Sequence, residues 1–185
     1  MKERKLVFDP TPERLVRPLR VAYKGEWKRI RDRRFALGDC ACDLCGAEQP
    51  NRKSLPAHEV HAFVRPGVAR LDKILFICEL CHDAIHLERT RRVKSKERTS
   101  AVEAHYCEVN GVTPAQLERN FSAMMKESAA IRKAYSGRSR PVMDYGEYQA
   151  GADGSEKRKR TDDAGDGDFE MYPDHECPWD VGHAD

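Results

Sequence analysis

At 185 residues, 39% of them hydrophobic and 35% charged, the chain has room for one modest core and is more polar than an average globular domain. It contains no apolar run of the roughly 20 residues that span a bilayer, and its first 20 residues lack the apolar stretch of a secretory signal; we therefore expect no membrane association and a cytoplasmic location, where cysteines stay reduced and serve as metal ligands. The formal charge of +2 hides a division, because residues 1–140 carry 29 Lys/Arg against 18 Asp/Glu, a net +11, while residues 141–185 carry 4 against 13, a net −9; a body this basic attracts a polyanion, most simply nucleic acid.

Residues 1–25 read as an N-terminal extension. The stretch EWKRIRDRRFAL, Glu26 to Leu37, sets Trp27, Ile30 and Arg34 on one side at helical spacing and a basic face opposite, so a short amphipathic helix is expected. DCACDLCGAEQP follows as a metal-binding knuckle. SLPAHEVHAFV, Ser54 to Val64, alternates as a strand does; RPGVARLD is read as a turn and KILFIC as a second short strand. ELCHDAIHLERTRR resumes helical spacing through Leu80, Ala84, Ile85 and Leu87.

RTRRVKSKER, Arg89 to Arg98, holds six basic residues and is expected to be a mobile or phosphate-seeking connector. Ser100 with Glu103 reads as a capping box opening the next helix, and Gly111 as its stop. Thr113, Pro114 and Gln116 form a second start signature, after which Leu117, Phe121, Met124, Ile131 and Tyr135 mark one face of a long helix. Periodicity ends near Ser136. Residues 137–185 read as a disordered acidic tail, whose aromatic end, FEMYPDHECPWD, has the look of a docking segment for a protein partner.

Cys42 and Cys45, with Cys78 and Cys81, make two CxxC pairs separated by 32 residues. Each pair brings two sulfurs to one ion, and four thiolates complete the tetrahedral shell of a structural zinc. Cys40 is a weaker competitor for the first pair, Cys107 reads as a packed thiol on a helix, and Cys177 in the tail lacks a paired neighbour. His82 and His86, four apart on a helix, project from one face and can bind one cation. A hairpin ahead of that helix can carry His58 or Glu59, or both, against it, with His61 in a supporting place. The spacing thus predicts two metal sites that share a helix.

CDLC, LPAHEVHAF, KILFIC and CHDAIH together resemble the HNH endonuclease family, in particular its zinc-bearing phage and prophage members; the resemblance extends from about Glu26 to Tyr135 and includes HYCEVNGVTPAQLE. It implies an α+β fold in residues 26–136, a small zinc-bound ββα-metal core surrounded by helices, and a metal-dependent endonuclease or nickase acting on double-stranded DNA. Beside the structural Zn2+ it implies a catalytic divalent ion, Mg2+, Mn2+, Ni2+ or Zn2+. His82 matches the metal-binding histidine of the family's CH motif, His86 a further ligand of some members, and His58 and Glu59 the adjacent pair on the first strand. Where many members have Asp-His or His-His, this chain has Ala57-His58-Glu59, so that either His58 is a ligand and Glu59 the general base, or His58 is the base. The family's middle Asn is replaced by Lys73. Arg29, Arg33, Arg34, Lys73, Arg89, Arg91, Arg92, Lys94 and Lys96 are the expected phosphate-binding cations. The alternative function is a non-catalytic, zinc-dependent nucleic-acid-binding module or adaptor.

Overall fold

Alternation of buried and exposed side chains builds the central hairpin. In the computed structural model, which describes residues 6–12, 15–36, 40–50, 55–65, 67–135 and 141–146, with the side chains of residues 34, 35 and 65 outside it, Ala57–Arg65 forms β1 and Val68–Phe76 forms β2. The two strands pair antiparallel from Ala57 opposite Phe76 to Arg65 opposite Val68. The turn is shorter than the sequence suggested, since VARLD belongs to β2: Ala69 and Leu71 are buried on either side of the exposed Arg70, and Asp72 is exposed again, the period-two pattern of a half-buried strand. At the turn Gly67 has a φ of 83°, a conformation that favours glycine. Val60 pairs with Lys73 and His61 with Leu71, leaving Asp72 as an extra residue in the ladder. A third strand, β3 (Val142–Asp144), pairs parallel with the start of β2, so the order is β1-β2-β3. This strand lies in the stretch expected to be disordered.

Six helices accompany the sheet among the described residues: α1 (Leu19–Ala22), α2 (Lys24–Ala36), α3 (Glu79–Ile85), α4 (Leu87–Val93), α5 (Lys96–Asn110) and α6 (Pro114–Ala134). The result is a mixed α+β fold. Helical spacing continues through HLERT, yet the backbone breaks at His86 (φ −99°, ψ 42°), so α3 and α4 are separate. The expected connector at 89–98 is largely helical and pinned: Arg91 bonds Glu103 and Glu118, and Arg98 bonds Asp83 at 2.6 and 2.8 Å. Consequently the start of α5 is not Ser100 but Ser95, whose Oγ accepts from the Arg98 N–H at 3.2 Å, while Glu103 is engaged by Arg91. Gly111 stops α5 in the left-handed region (φ 62°), and Thr113 with Gln116 forms the reciprocal capping box of α6.

Two apolar clusters lie against the hairpin. The larger gathers Phe76, Ile77, Ala84, Ile85, Leu87, Val102, Tyr106, Leu117 and Met124 with three of the cysteines. Residues 6–12, from the stretch read as an extension, act as a strap across it: Leu6 and Phe8 are buried, and Phe8 stacks on Tyr106 at 4.5 Å and meets Phe121 edge-on at 5.7 Å. The Asn110 side chain secures the strap like a strand neighbour, accepting from the Leu6 N–H at 3.1 Å and donating to its carbonyl at 2.9 Å. The smaller cluster joins Leu19, Leu71 and Tyr145, with Trp27 and Ile30 of α2 packed on it as the helical spacing predicted. Arg34, the third residue of that stripe, has its side chain outside the described part. No helix among the described residues is long and apolar enough to cross a membrane.

Candidate metal centres

The first centre joins two loops. In the first, Gly46 takes a φ of 74° and a bridge between Ala41 and Glu48 closes a knuckle that carries Cys42 and Cys45. The second starts where β2 ends, with Cys78 as the N-cap of α3 and Cys81 one turn on. Asp43 ties the loops together: its N–H donates to the Phe76 carbonyl at 3.0 Å and its carboxylate accepts from the Phe76 N–H at 2.7 Å. The four Sγ atoms lie within 4.8 Å of one another.

The electrostatics of this quartet match its geometry. A hydrogen bond with Cys81 drives the Cys42 thiol down to about 4, and the same bond pushes Cys81 up; burial raises Cys45 to about 11. Four crowded sulfurs cannot all hold negative charge unless a cation compensates them, so the donor set fits a structural metal such as zinc. Cys40 is buried but outside the quartet, and Cys107 is a partly buried thiol whose pKa is raised by burial. Cys177 lies outside the described residues. His105 of α5 places Nε2 3.1 Å from the Cys81 sulfur. Nothing in its sequence spacing marks it, because the contact arises from α5 packing on α3.

The second centre is formed by His58 of β1, His82 of α3 and His86 at the α3–α4 break, with one nitrogen from each lying within 4.8 Å of the others. Ring centroids are 4.9 Å apart for His58 and His86, 5.0 Å for His82 and His86, and 5.8 Å for His58 and His82. Burial, followed by the neighbouring His86, His82 and His61 rings, pushes His58 down to about 3. Burial and His86, opposed by Asp83 and assisted by Arg89 and Arg20, take His82 down to about 4. Both imidazoles are therefore neutral near pH 7 and keep a lone pair for a cation, and three such donors fit a first-row divalent ion. Cys81 and His82 are consecutive, so one turn of α3 serves both centres.

Glu59 is not brought to the trio. Strand alternation turns it to the opposite face, where its carboxylate accepts from the Leu19 N–H at 2.8 Å and stands 3.5 Å from Nε2 of His61. His61 accordingly belongs to that second face. A different carboxylate approaches the trio: Asp9, in the strap, has Oδ2 3.9 Å from Nε2 of His58. Alone in DPTP, it carries no sequence signal of this role.

Among the expected phosphate-binding residues, Arg33, Lys73, Arg89, Arg92, Lys94 and Lys96 are exposed. Arg29 is exposed but paired with Glu26 at 2.5 Å, and Arg91 is held between Glu103 and Glu118 over the Phe121 ring, 4.6 Å from its centroid. Arg91 is thus a structural cation. Arg20, absent from the sequence-based set, is exposed at the start of α1 and electrostatically sensed by His82, as Arg89 is.

No family model matches the chain, and comparisons with curated proteins and with solved structures find no match.

Proposed function

We propose that the chain is a metal-dependent endonuclease or nickase of the HNH type that hydrolyses phosphodiester bonds in double-stranded DNA. The observation that carries this reading is the convergence of His58, His82 and His86 from a β-hairpin and the helix after it, one residue from a four-cysteine centre. A divalent ion held by the three imidazoles would supply Lewis-acid stabilisation of charge on the phosphoryl group and the departing oxygen. The chain itself does the rest of the positioning. Arg20 and Arg89 offer positive charge on the His82 side of the centre, where a phosphate would be drawn in. The cysteine centre, when closed by zinc, would hold the start of α3 against the first loop and thereby fix where His82 points.

A second reading, a zinc-dependent DNA-binding module without turnover, draws on one feature: Glu59, a candidate base, is occupied on the other face of the sheet. The two readings separate in one assay. Purified protein is incubated with supercoiled plasmid, and in parallel with linear RNA, under magnesium, manganese, nickel or zinc. Metal-dependent relaxation of the plasmid, lost in His82→Ala, is the expected result. Cleavage by His82→Ala at the parental rate would remove the nuclease reading, and binding without cleavage under every metal would leave the module.

A further inference from the structure

We infer that Asp9 is a fourth ligand of the ion held by His58, His82 and His86, so that the N-terminal strap forms one wall of the centre. The inference deepens the proposed site and rests on the trio being a metal centre. Three observations place the carboxylate there. First, the Asp9 N–H donates to the Ile85 carbonyl at 3.1 Å, in the last turn of α3, the helix that carries His82. Second, Oδ1 accepts from the Thr11 N–H at 2.8 Å, which fixes the carboxylate plane and leaves Oδ2 directed elsewhere. Third, Oδ2 is 3.9 Å from Nε2 of His58, with the Asp9 and His58 side chains only 13% and 6% exposed.

That distance decides between two roles. A hydrogen bond from Nε2 to the carboxylate would be near 3 Å, so 3.9 Å is too long for one. Two donors each about 2.1 Å from one tetrahedral ion stand about 3.4 Å apart. The Asp9 to His58 separation is therefore close to ligand spacing, while Asp9 itself stands outside the group of donor atoms that all lie within 4.8 Å of one another, so its carboxylate would close on the ion from the His58 side. Charge favours the same assignment: three neutral imidazoles leave the full double charge of a divalent cation in a mostly buried place, and one carboxylate halves it. Three nitrogens and one oxygen also favour a transition ion over magnesium, whose preferred shell is oxygen.

The test uses cobalt(II) titrated into the full-length protein with zinc already in the cysteine centre, followed by its d–d absorption and by calorimetry. Wild type is expected to take one cobalt, and His82→Ala to lose it. Asp9→Ala and Asp9→Asn are both expected to weaken cobalt binding by at least about tenfold. Asn keeps an oxygen for the Thr11 N–H but turns an amide NH2, not an acceptor, towards His58 and removes the charge, so it separates a folding defect from loss of the carboxylate. The shift in position and intensity of the cobalt d–d bands expected on loss of a bound oxygen separates ligation from an orienting role. Unchanged zinc content and circular dichroism verify the fold. Asp9→Asn binding cobalt as wild type does would overturn ligation by Asp9 while the trio stands; undiminished binding by His82→Ala would instead overturn the trio itself.

Discussion

His105 shows how a single side chain can tune a centre it does not complete. Its Nε2 lies 3.1 Å from the Cys81 sulfur and, in the Nε2–H tautomer, would donate to the thiolate that carries excess charge once all four cysteines bind one ion. Removing that donor should loosen the metal. We expect His105→Ala to release zinc to a chromogenic chelator about 10–100-fold faster than wild type, and His105→Gln, which retains an N–H, to recover part of the difference. Equal release from all three proteins would assign His105 to packing alone. The trio sets a pH dependence of definite sign. His58 and His82 titrate near 3 and 4 in the folded chain against about 6.5 when unfolded, so their contribution to stability is complete above pH 6.5. As pH falls towards 4 the unfolded chain binds about two more protons than the folded one, and stability declines. Urea midpoints measured without added divalent ion should fall across this window, and the fall should be shallower in a His58→Ala/His82→Ala double variant.

At the level of elements, the strap depends on Asn110. Two hydrogen bonds hold Leu6 to its amide, and Asn110→Ala should destabilise the protein by about 1–3 kcal/mol in urea unfolding. Because the strap also carries Asp9, the variant should lose affinity for ion at the histidine centre while retaining its zinc. Retention of both affinities would disconnect strap and centre. The elements also divide by what local sequence can encode. The Thr113–Gln116 capping box, the Gly111 stop and both CxxC knuckles satisfy their rules within four residues, so each was legible in the chain. Ser95 was obscured by Ser100, because the competing cap was decided by Arg91 claiming Glu103 from another helix. The hairpin turn contracted for a similar reason, since Leu71 is drawn into the strand by a cluster assembled from distant segments, with Ala69 buried two residues before it. The His82–His86 pair was readable from helical spacing, whereas Asp9, His105 and Arg20 reach their centres only through tertiary packing.

Across the whole molecule, the packed part of the chain runs past the residue at which the charge changes sign. Tyr145 is buried in the smaller cluster, donates from its hydroxyl to the Arg17 carbonyl at 2.7 Å and meets Tyr23 edge-on, while β3 extends the sheet. A chain ending at Arg140 should therefore melt earlier than one ending at Gly146. The cut at Arg140 removes β3 and Tyr145 as well and is unsuited to testing charge. With the chain ending at Gly146, we expect tighter binding to nonspecific DNA at low salt, and an advantage that shrinks as salt rises, because a tethered anionic segment competes for the basic surface at high effective concentration. Equal affinities throughout a salt titration would show that residues 147–185 do not act as a brake.

The strap also imposes an order of assembly. The partner of Leu6, Asn110, is 104 positions downstream, so the wall that brings Asp9 to the histidines waits until α5 exists. The knuckles and the hairpin close far shorter loops and come first, since contacts between distant positions form late. A nascent chain would be able to fill its cysteine centre before it could hold an ion at the histidines. Refolding from denaturant in the presence of zinc and cobalt should reproduce that delay, with cobalt bands at the histidine centre developing after zinc uptake is complete. Simultaneous uptake at the two centres would remove it.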